Sequence, residues 1–389
     1  MRICDLTTLY IDGGEGGVNT YLTEKARDLA ERSDCEHIII VPGARSERRQ
    51  LFSTTVYTVK SPRLPSNPQH RVLANIREVK RILRQTQPDL VEVDCAYFLA
   101  QVARSALPNV PIVGFYHVHL PTFIARPRAS RLGPLFAGAA ERMTWRYVDL
   151  CNKSCDRVVV TSTPIRDRLI QVGFKVPLEQ VQLGVNLDLF SPRETERREG
   201  PCELLYVGRL SREKDIPVLI DAFKALTPRG DYRLTIVGDG PVREELVQQA
   251  GGDRRVRFLG RIPYGAALAA RYREADLLVV PSPNETFNLT VLEGLASGLP
   301  VVAVRQGGPR ELVSPEIGAL AHPSDPTDLA RSIETVAQRA IPSETCREHV
   351  AARSSWSRTF DRLLEVYEDA RGARGVTSGL ASSGRIARQ

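Results

Sequence analysis

The sequence predicts an α/β protein of two Rossmann-like, doubly wound domains. Three observations lead there. Short β-branched runs alternate with amphipathic helices, a polar break interrupts the 389 residues near their middle, and the alternation restarts after it. The length suits two or three domains. A chain with 42% hydrophobic and 25% charged residues can build ordinary soluble cores, which excludes a disordered tail, a collagen-like fibre and a small disulfide scaffold.

In the first half the strand candidates are Arg2–Leu6, His37–Val41, Val56–Val59, Leu90–Val93, Ile112–Phe115, Arg157–Thr161 and Val181–Leu183. Val18–Arg32 and Arg71–Gln85 carry apolar residues at helical spacing, and Pro62–Pro68 reads as a loop. Ser191–Gly200 (SPRETERREG) has no apolar face and suits a linker. The second series of strands is Glu203–Val207, Arg233–Val237, Val256–Phe258, Leu277–Val280 and Val301–Val304. Its helices are Ile216–Leu226, Val242–Gln249, Ala266–Glu274, Val291–Ser297, Pro309–Val313 and Thr327–Gln338, and a last amphipathic helix covers Ser357–Ala370. The expected division is therefore a domain over 1–190, a second over 191–356, a closing helix over 357–372 and a disordered tail over 373–389. In such sheets ligands bind at the carboxyl ends of the strands, which places the expected site in a cleft faced by both domains.

No apolar run reaches the ~20 residues that cross a bilayer. The start, Met1-Arg-Ile-Cys-Asp-Leu, reads as a first strand rather than a signal peptide, so a cytoplasmic location is expected. The seven cysteines are scattered, and Cys151 and Cys155 lack the second pair that a zinc set needs. Charge is uneven: through Phe190 there are 25 Lys and Arg against 19 Asp and Glu, and beyond it 28 against 27. The excess includes Arg45, Arg48, Arg49, Arg126, Arg128, Arg131, Arg142 and Arg146. Such a face suits an anionic small molecule or an anionic membrane surface, and the stretch Pro134–Val148 is apolar on one side with Arg142 and Arg146. No nucleic-acid recognition motif accompanies the charge, so no nucleic-acid partner is expected.

Three motifs carry chemistry. Asp12-Gly-Gly-Glu-Gly-Gly-Val18 lies between the first strand and its helix, where glycines let the backbone approach a ligand and the helix start favours phosphate. Its glycines are paired doublets, unlike the dinucleotide fingerprint, and a tight strand-to-helix turn would use them equally well. Gly208-Arg209-Leu210-Ser-Arg-Glu213-Lys214 follows the first strand of the second series, and its guanidinium and ammonium could neutralise one diphosphate. Ser282 to Pro300 sets Glu285 in a loop and Glu293 on the helix beyond it. One acid can accept sugar hydroxyls and the other a ribose diol, with the N–H groups of Asn288, Leu289 and Thr290 free for phosphate.

Glu285-x7-Glu293, Gly298-Leu-Pro-Val-Val and Gly307-Gly308-Pro-Arg-Glu311-Leu-Val together resemble the retaining glycosyltransferases of family four, which have the GT-B fold. Gly184-Val185-Asn186-Leu-Asp188-Leu-Phe190-Ser-Pro192 resembles the family's interdomain segment, and Gly238-Asp239-Gly240-Pro241 its glycine turn. The resemblance runs nearly the whole chain, to about Tyr367. It implies that Arg209 and Lys214 clamp the diphosphate, Glu285 holds donor-sugar hydroxyls and Glu293 the ribose. It further implies that Arg261 and Ile262 cradle the nucleobase, that Gly16 and Gly17 approach the phosphates, and that His117 lies beside the transferred sugar. Gly208, Gly238, Phe287, Asn288, Leu289 and Thr290 complete the implied donor-binding set. His119 is read as structural. The closing helix is expected to cross back to the first domain.

Two positions depart from the family pattern: Asn288 stands where a glycine is common, and Gly294 where an alanine is usual. The segments Gly13–Tyr21 and Phe115–Pro121 look closest to bacterial mannosyl-, glucosyl- and sulfoquinovosyl-transferases. The implied activity is transfer of a hexose, mannose or glucose, from a GDP- or UDP-sugar to a lipid or glycan with retained configuration. No cofactor and no metal are expected, since Glu92-Val-Asp94 reads as a strand end rather than a cation site. Two alternatives stay open, a sugar-nucleotide epimerase of the same fold and a non-catalytic nucleotide-sugar-binding protein. A phosphorylase-like enzyme would need a pyridoxal lysine, for which no candidate presents itself.

Overall fold

The computed structural model describes residues 1–11, 16–64, 67–95, 97–120, 134–194, 200–226 and 231–383. Two compact units divide the chain: Met1–Thr161, Ile165–Val181 and Thr359–Gln389 make the first, Ser162–Pro164 and Gln182–Arg358 the second.

The first unit opens with β1 (Arg2–Leu6), α1 (Gly17–Ala30) and β2 (Glu36–Gly43). β2 is buried at every position after its first, the pattern of a parallel strand covered on both faces. Then come β3 (Glu47–Leu51), β4 (Thr54–Lys60), β5 (Arg63–Leu64) and β6 (Asn67–Arg71). α2 (Ile76–Thr86), β7 (Leu90–Asp94), α3 (Leu99–Ala106), β8 (Ile112–Phe115), α4 (Pro134–Asn152), β9 (Arg157–Val160), α5 (Thr163–Gln171) and β10 (Leu178–Gln180) follow. Asn75 caps α2 by accepting from the Glu78 N–H. The main sheet has the order β10-β9-β8-β7-β1-β2-β4-β3, parallel except for the β3–β4 pair. β1 goes to β2 on one side, while β7 returns to its other side and the chain continues outward, so the winding reverses between β1 and β7.

The second unit repeats this plan. It contains β11 (Cys202–Val207), α6 (Ile216–Leu226), β12 (Tyr232–Val237), α7 (Arg243–Ala250), β13 (Val256–Gly260), α8 (Ala266–Glu274), β14 (Leu277–Val280), α9 (Leu289–Ala296) and β15 (Val301–Val304). α10 (Pro309–Leu312), β16 (Gly318–Ala321), α11 (Pro326–Gln338) and α12 (Ser343–Ala351) follow. Every pair in its sheet, β13-β12-β11-β14-β15-β16, is parallel, and the reversal falls between β11 and β14. Leu219, Ile220 and Phe223 of α6 meet Leu329, Ile333 and Val336 of α11 in the core that covers one face.

The last helix, α13, runs from Trp356 to Ser383. Four features here differ from the sequence expectations. The helix passes the expected end at 372, and Arg374 shows why it continues: its guanidinium binds Asp156 and the Pro108 carbonyl. Residues 384–389 of the expected tail lie outside the described residues. The boundary between units falls at Val181/Gln182 rather than at 190. Residues 182–190 pack with the second unit, where Val185 donates to the Ser354 carbonyl and Phe190 lies edge-on to Tyr272. The expected strand Val181–Leu183 is displaced to Leu178–Gln180 for the same reason. The Pro62–Pro68 stretch, expected as a loop, contributes to the β5–β6 hairpin.

Candidate functional site

In the second unit β11 and β14 are neighbours, so the loops leaving their carboxyl ends are adjacent at the reversal of the sheet, where doubly wound folds bind ligands. The β11 loop carries Gly208, Arg209 and a 3-10 turn over Arg212–Lys214. The β14 loop carries Ser282 to Asn288 and enters α9. Three side-chain links join them. Lys214 Nζ donates to Glu285 Oε1 at 2.6 Å, and Ser282 Oγ and Asn284 Nδ2 donate to the Glu213 carbonyl at 3.2 and 3.4 Å. The predicted clamp lysine and the predicted sugar-binding acid are thus brought together as one ion pair. The Arg209 carbonyl accepts from the Tyr206 hydroxyl at 3.2 Å.

The backbone around this pair leaves no room for side chains at two places. A Cβ on Gly238 would lie 1.8 Å from the Gly208 carbonyl oxygen, which makes Gly238 a packing partner of the β11 loop. A Cβ on Gly308 would lie 2.5 Å from Phe287 backbone atoms, while its N–H donates to the Glu285 carbonyl at 2.9 Å. The Gly307–Gly308 step therefore sets the height of the Glu285 loop. Sequence reasoning noticed these glycines only as part of a resemblance.

Asn288 caps α9 at φ 93°, in the left-handed region that favours glycine. Its side chain accepts from the Val291 N–H at 3.2 Å, which compensates the strained backbone and spends one helix-start donor. Leu289 and Thr290 start the helix, and Phe287 is buried beneath them. Gly294 is explained by packing: a Cβ there would lie 2.6 Å from Leu278 Cδ2, so the usual alanine is excluded unless Leu278 moves. Glu293, 8% exposed, accepts from the Tyr272 hydroxyl at 2.6 Å. Burial pushes its carboxyl up to about 7, against the pull of that hydrogen bond. Arg261 and Ile262 follow β13, whose Gly260 carbonyl accepts from the Gly238 N–H at 2.8 Å.

In the first unit Gly16, φ 137°, stands at the N-cap of α1 and Gly17 opens the helix, both exposed after the end of β1. The other two glycines of that motif, Gly13 and Gly14, lie outside the described residues, as do Arg126, Arg128 and Arg131. His117 follows β8, its ring stacked on Phe115 at 4.1 Å and edge-on to Tyr21 at 5.2 Å. Burial pushes its imidazole down to about 3, which keeps it neutral at physiological pH. His119 contacts the Tyr116 hydroxyl at 3.1 Å and the Trp145 ring edge.

Beneath His117 lies a buried ionic cluster that no local sequence pattern announced. Lys25 Nζ donates to Asp5 Oδ1 and to the Tyr367 hydroxyl, each at 2.7 Å, and is 3.3 Å from Glu92 Oε2. Tyr367 and Tyr21 both donate to Glu92, and His37 Nε2 pairs with Asp5 Oδ2 at 2.9 Å. Burial would raise Asp5, but Lys25 and His37 hold it below its ordinary range; burial pushes Glu92 up to about 7 despite Lys25. Asp94 accepts from the Thr7 hydroxyl and the Thr8 N–H at 2.8 and 2.7 Å. Both acids of Glu92-Val-Asp94 thus serve the fold.

Two doubly wound parallel sheets, each with its own chain reversal, are the architecture of the GT-B fold. The solved sucrose-phosphate synthase of Thermosynechococcus elongatus matches this architecture with a TM-score of 0.76 over 96% of this chain and 100% of its own, at 22% identity. The chain belongs to glycosyltransferase family 4: residues 15–189 match the model described as Glycosyltransferase Family 4, and residues 201–339 that described as Glycosyl transferases group 1. It is 30% identical to the GDP-mannose-dependent alpha-(1-6)-phosphatidylinositol dimannoside mannosyltransferase of Mycobacterium tuberculosis, covering 94% of this chain and 95% of the relative. A GDP-mannose-dependent alpha-mannosyltransferase of the same species is 34% identical, covering 90% and 92%.

Proposed function

We propose that the chain transfers mannose from GDP-mannose to a lipid-linked glycan, with retained configuration, at the inner face of the plasma membrane. The observation that carries it is the Lys214–Glu285 pair, held at the strand reversal of the second unit. The named relatives support the choice of sugar and nucleotide. The diphosphate takes Lys214 and Arg209, the sugar hydroxyls take Glu285, and the N–H groups of Leu289 and Thr290 face the phosphate at the positive end of α9. These groups stabilise the charge that develops as the anomeric bond breaks. The leaving phosphate oxygen accepts the acceptor's proton on the same face. Glu293 holds the ribose, with Arg261 and Ile262 at the base and Gly208, Gly238, Phe287 and Asn288 shaping the pocket. Within the first unit, the family resemblance assigns Gly16 and Gly17 to phosphate and His117, neutral at physiological pH, to the sugar.

A melting panel with GDP, UDP, ADP and their sugars tests this. GDP and GDP-mannose at ~100 Kd should add about 2.7 kcal/mol of stability, with UDP and ADP well behind. A melt indifferent to every nucleotide, or conversion of the sugar without an acceptor, would overturn the proposal.

The membrane assignment rests on α4. Phe136, Met143 and Leu150 are exposed at 61%, 71% and 42%, spaced seven residues apart, and exposed Arg142 and Arg146 flank them. No helix among the described residues is long and apolar enough to cross a membrane. An apolar stripe with flanking cations suits docking on anionic lipid. At ~1 kcal/mol per arginine, Arg142→Gln with Arg146→Gln should weaken co-sedimentation with phosphatidylglycerol vesicles by roughly 30-fold. Equal binding to neutral vesicles would remove the idea.

A further inference from the structure

Glu293 is a costly residue to bury. It sits in mid-helix among apolar neighbours, and the hydroxyl of Tyr272 on α8 is the hydrogen-bond partner of its carboxylate. Tyr272 is fully buried and braced: Phe190 meets it edge-on at 5.4 Å, and Phe190 also meets Tyr264 at 5.7 Å. Arg347 of α12 ties the same corner together by donating to the carbonyls of Phe190, Ala296 and Leu187. One guanidinium thereby fixes both the ring behind Tyr272 and the C-terminal end of α9.

We propose that Tyr272 is a positioning residue for the donor: its hydroxyl holds Oε2 of Glu293 and so orients Oε1 to receive the ribose diol. This rests on the reading of Glu293 as the ribose acceptor. Fold stability alone would favour an apolar side chain at position 293, since one phenol hydrogen bond offsets little of the cost of burying an acid. Among the groups on the elements packed around it, Arg347 is engaged by carbonyls, Tyr264 lies beyond Tyr272, and Arg310 and Glu311 belong to α10. Burial raises the carboxyl to about 7, and the Tyr272 hydrogen bond is what opposes it. Removing that bond raises it further, so a Tyr272→Phe enzyme should hold less ionised Glu293 as pH falls.

The test is calorimetric binding of GDP, with UDP in parallel, and of inorganic pyrophosphate from pH 6.5 to 9. Tyr272→Phe should weaken the nucleotide by roughly 5- to 10-fold, increasingly toward low pH, and leave pyrophosphate unchanged. Taking the ratio of variant to wild type cancels ionisation of the ligand itself. Glu293→Gln should weaken the nucleotide without affecting pyrophosphate, and adding Tyr272→Phe to it should cost nothing more. A Tyr272→Phe loss shared by pyrophosphate, or no loss where Glu293→Gln has one, overturns the positioning role. Unchanged nucleotide affinity in Glu293→Gln would instead sink the ribose reading beneath it. If Tyr272→Phe does not melt cooperatively, the wild type decides: nucleotide affinity relative to pyrophosphate must fall through pH 7, and must not in Glu293→Gln.

Discussion

Lys214→Ala should lower kcat/KM for the donor by ~100- to 1000-fold, and Arg209→Ala by a similar factor, about 3–4 kcal/mol of lost transition-state stabilisation each. The two losses should differ in kind. If Arg209 acts on the leaving diphosphate as proposed, its removal falls mainly on kcat. Lys214 also pairs with Glu285, with side chains 25% and 12% exposed. Removing it leaves Glu285 without that partner at the proposed sugar position, so donor KM should rise as well. Glu285→Gln in the Lys214→Ala background should then recover part of the binding loss but none of the rate. Steady-state kinetics with GDP-mannose decides; turnover within threefold of wild type in either single variant would refute the clamp.

The largest effect on stability is expected from Lys25→Met. It leaves Asp5 and Glu92 without their ammonium in a site where Lys25 and Asp5 side chains are 1% and 2% exposed. Breaking such a buried set typically costs about 3–5 kcal/mol, a large share of a domain's stability. The pH dependence has a definite sign. Glu92 is already raised to about 7 in the folded wild type, and loss of Lys25 raises it further. Between the unfolded value near 4.5 and that raised value, the folded variant binds more protons than the unfolded chain, so its stability falls as pH rises. Asp5 works the other way, its low folded value contributing stability that fades as pH drops through the acid range. The deficit of Lys25→Met in urea melts should therefore be greatest above pH 7 and smaller near pH 5.5. A deficit that deepens on acidification over that interval would contradict the account.

Strands buried on both faces were legible because their β-branched runs are continuous; β1, β8, β14 and β15 begin and end as the sequence predicts. What escaped was structure without an apolar signal. β3 is Glu47-Arg-Arg-Gln-Leu51, an edge strand whose charges guard it against further pairing, and β16 is Gly-Ala-Leu-Ala, too small-sided to stand out. The loops after β11 and β14 were visible as motifs, because Lys214 and Glu285 lie near strand ends in sequence. Their meeting at 2.6 Å was not, since it depends on β11 and β14 being neighbours across 71 residues. Tyr272, the packing role of Gly308 and the Lys25 cluster were illegible for a related reason. Each acts on a residue from another element, and periodicity within one element carries no record of that.

Lys25 and Tyr367, hydrogen-bonded in the first unit, are separated by 342 residues. During synthesis at ~5–20 residues per second, the ribosome adds Tyr367 roughly 20–70 s after Lys25. Over that interval the nascent amino-terminal sheet holds Asp5, Lys25 and Glu92 without the phenol that completes their network. The second unit, apart from the short Ser162–Pro164 segment, is one continuous stretch, Gln182–Arg358, and has no such wait. Translation order thus favours completion of the second unit's core before the first unit's network is closed by the final helix.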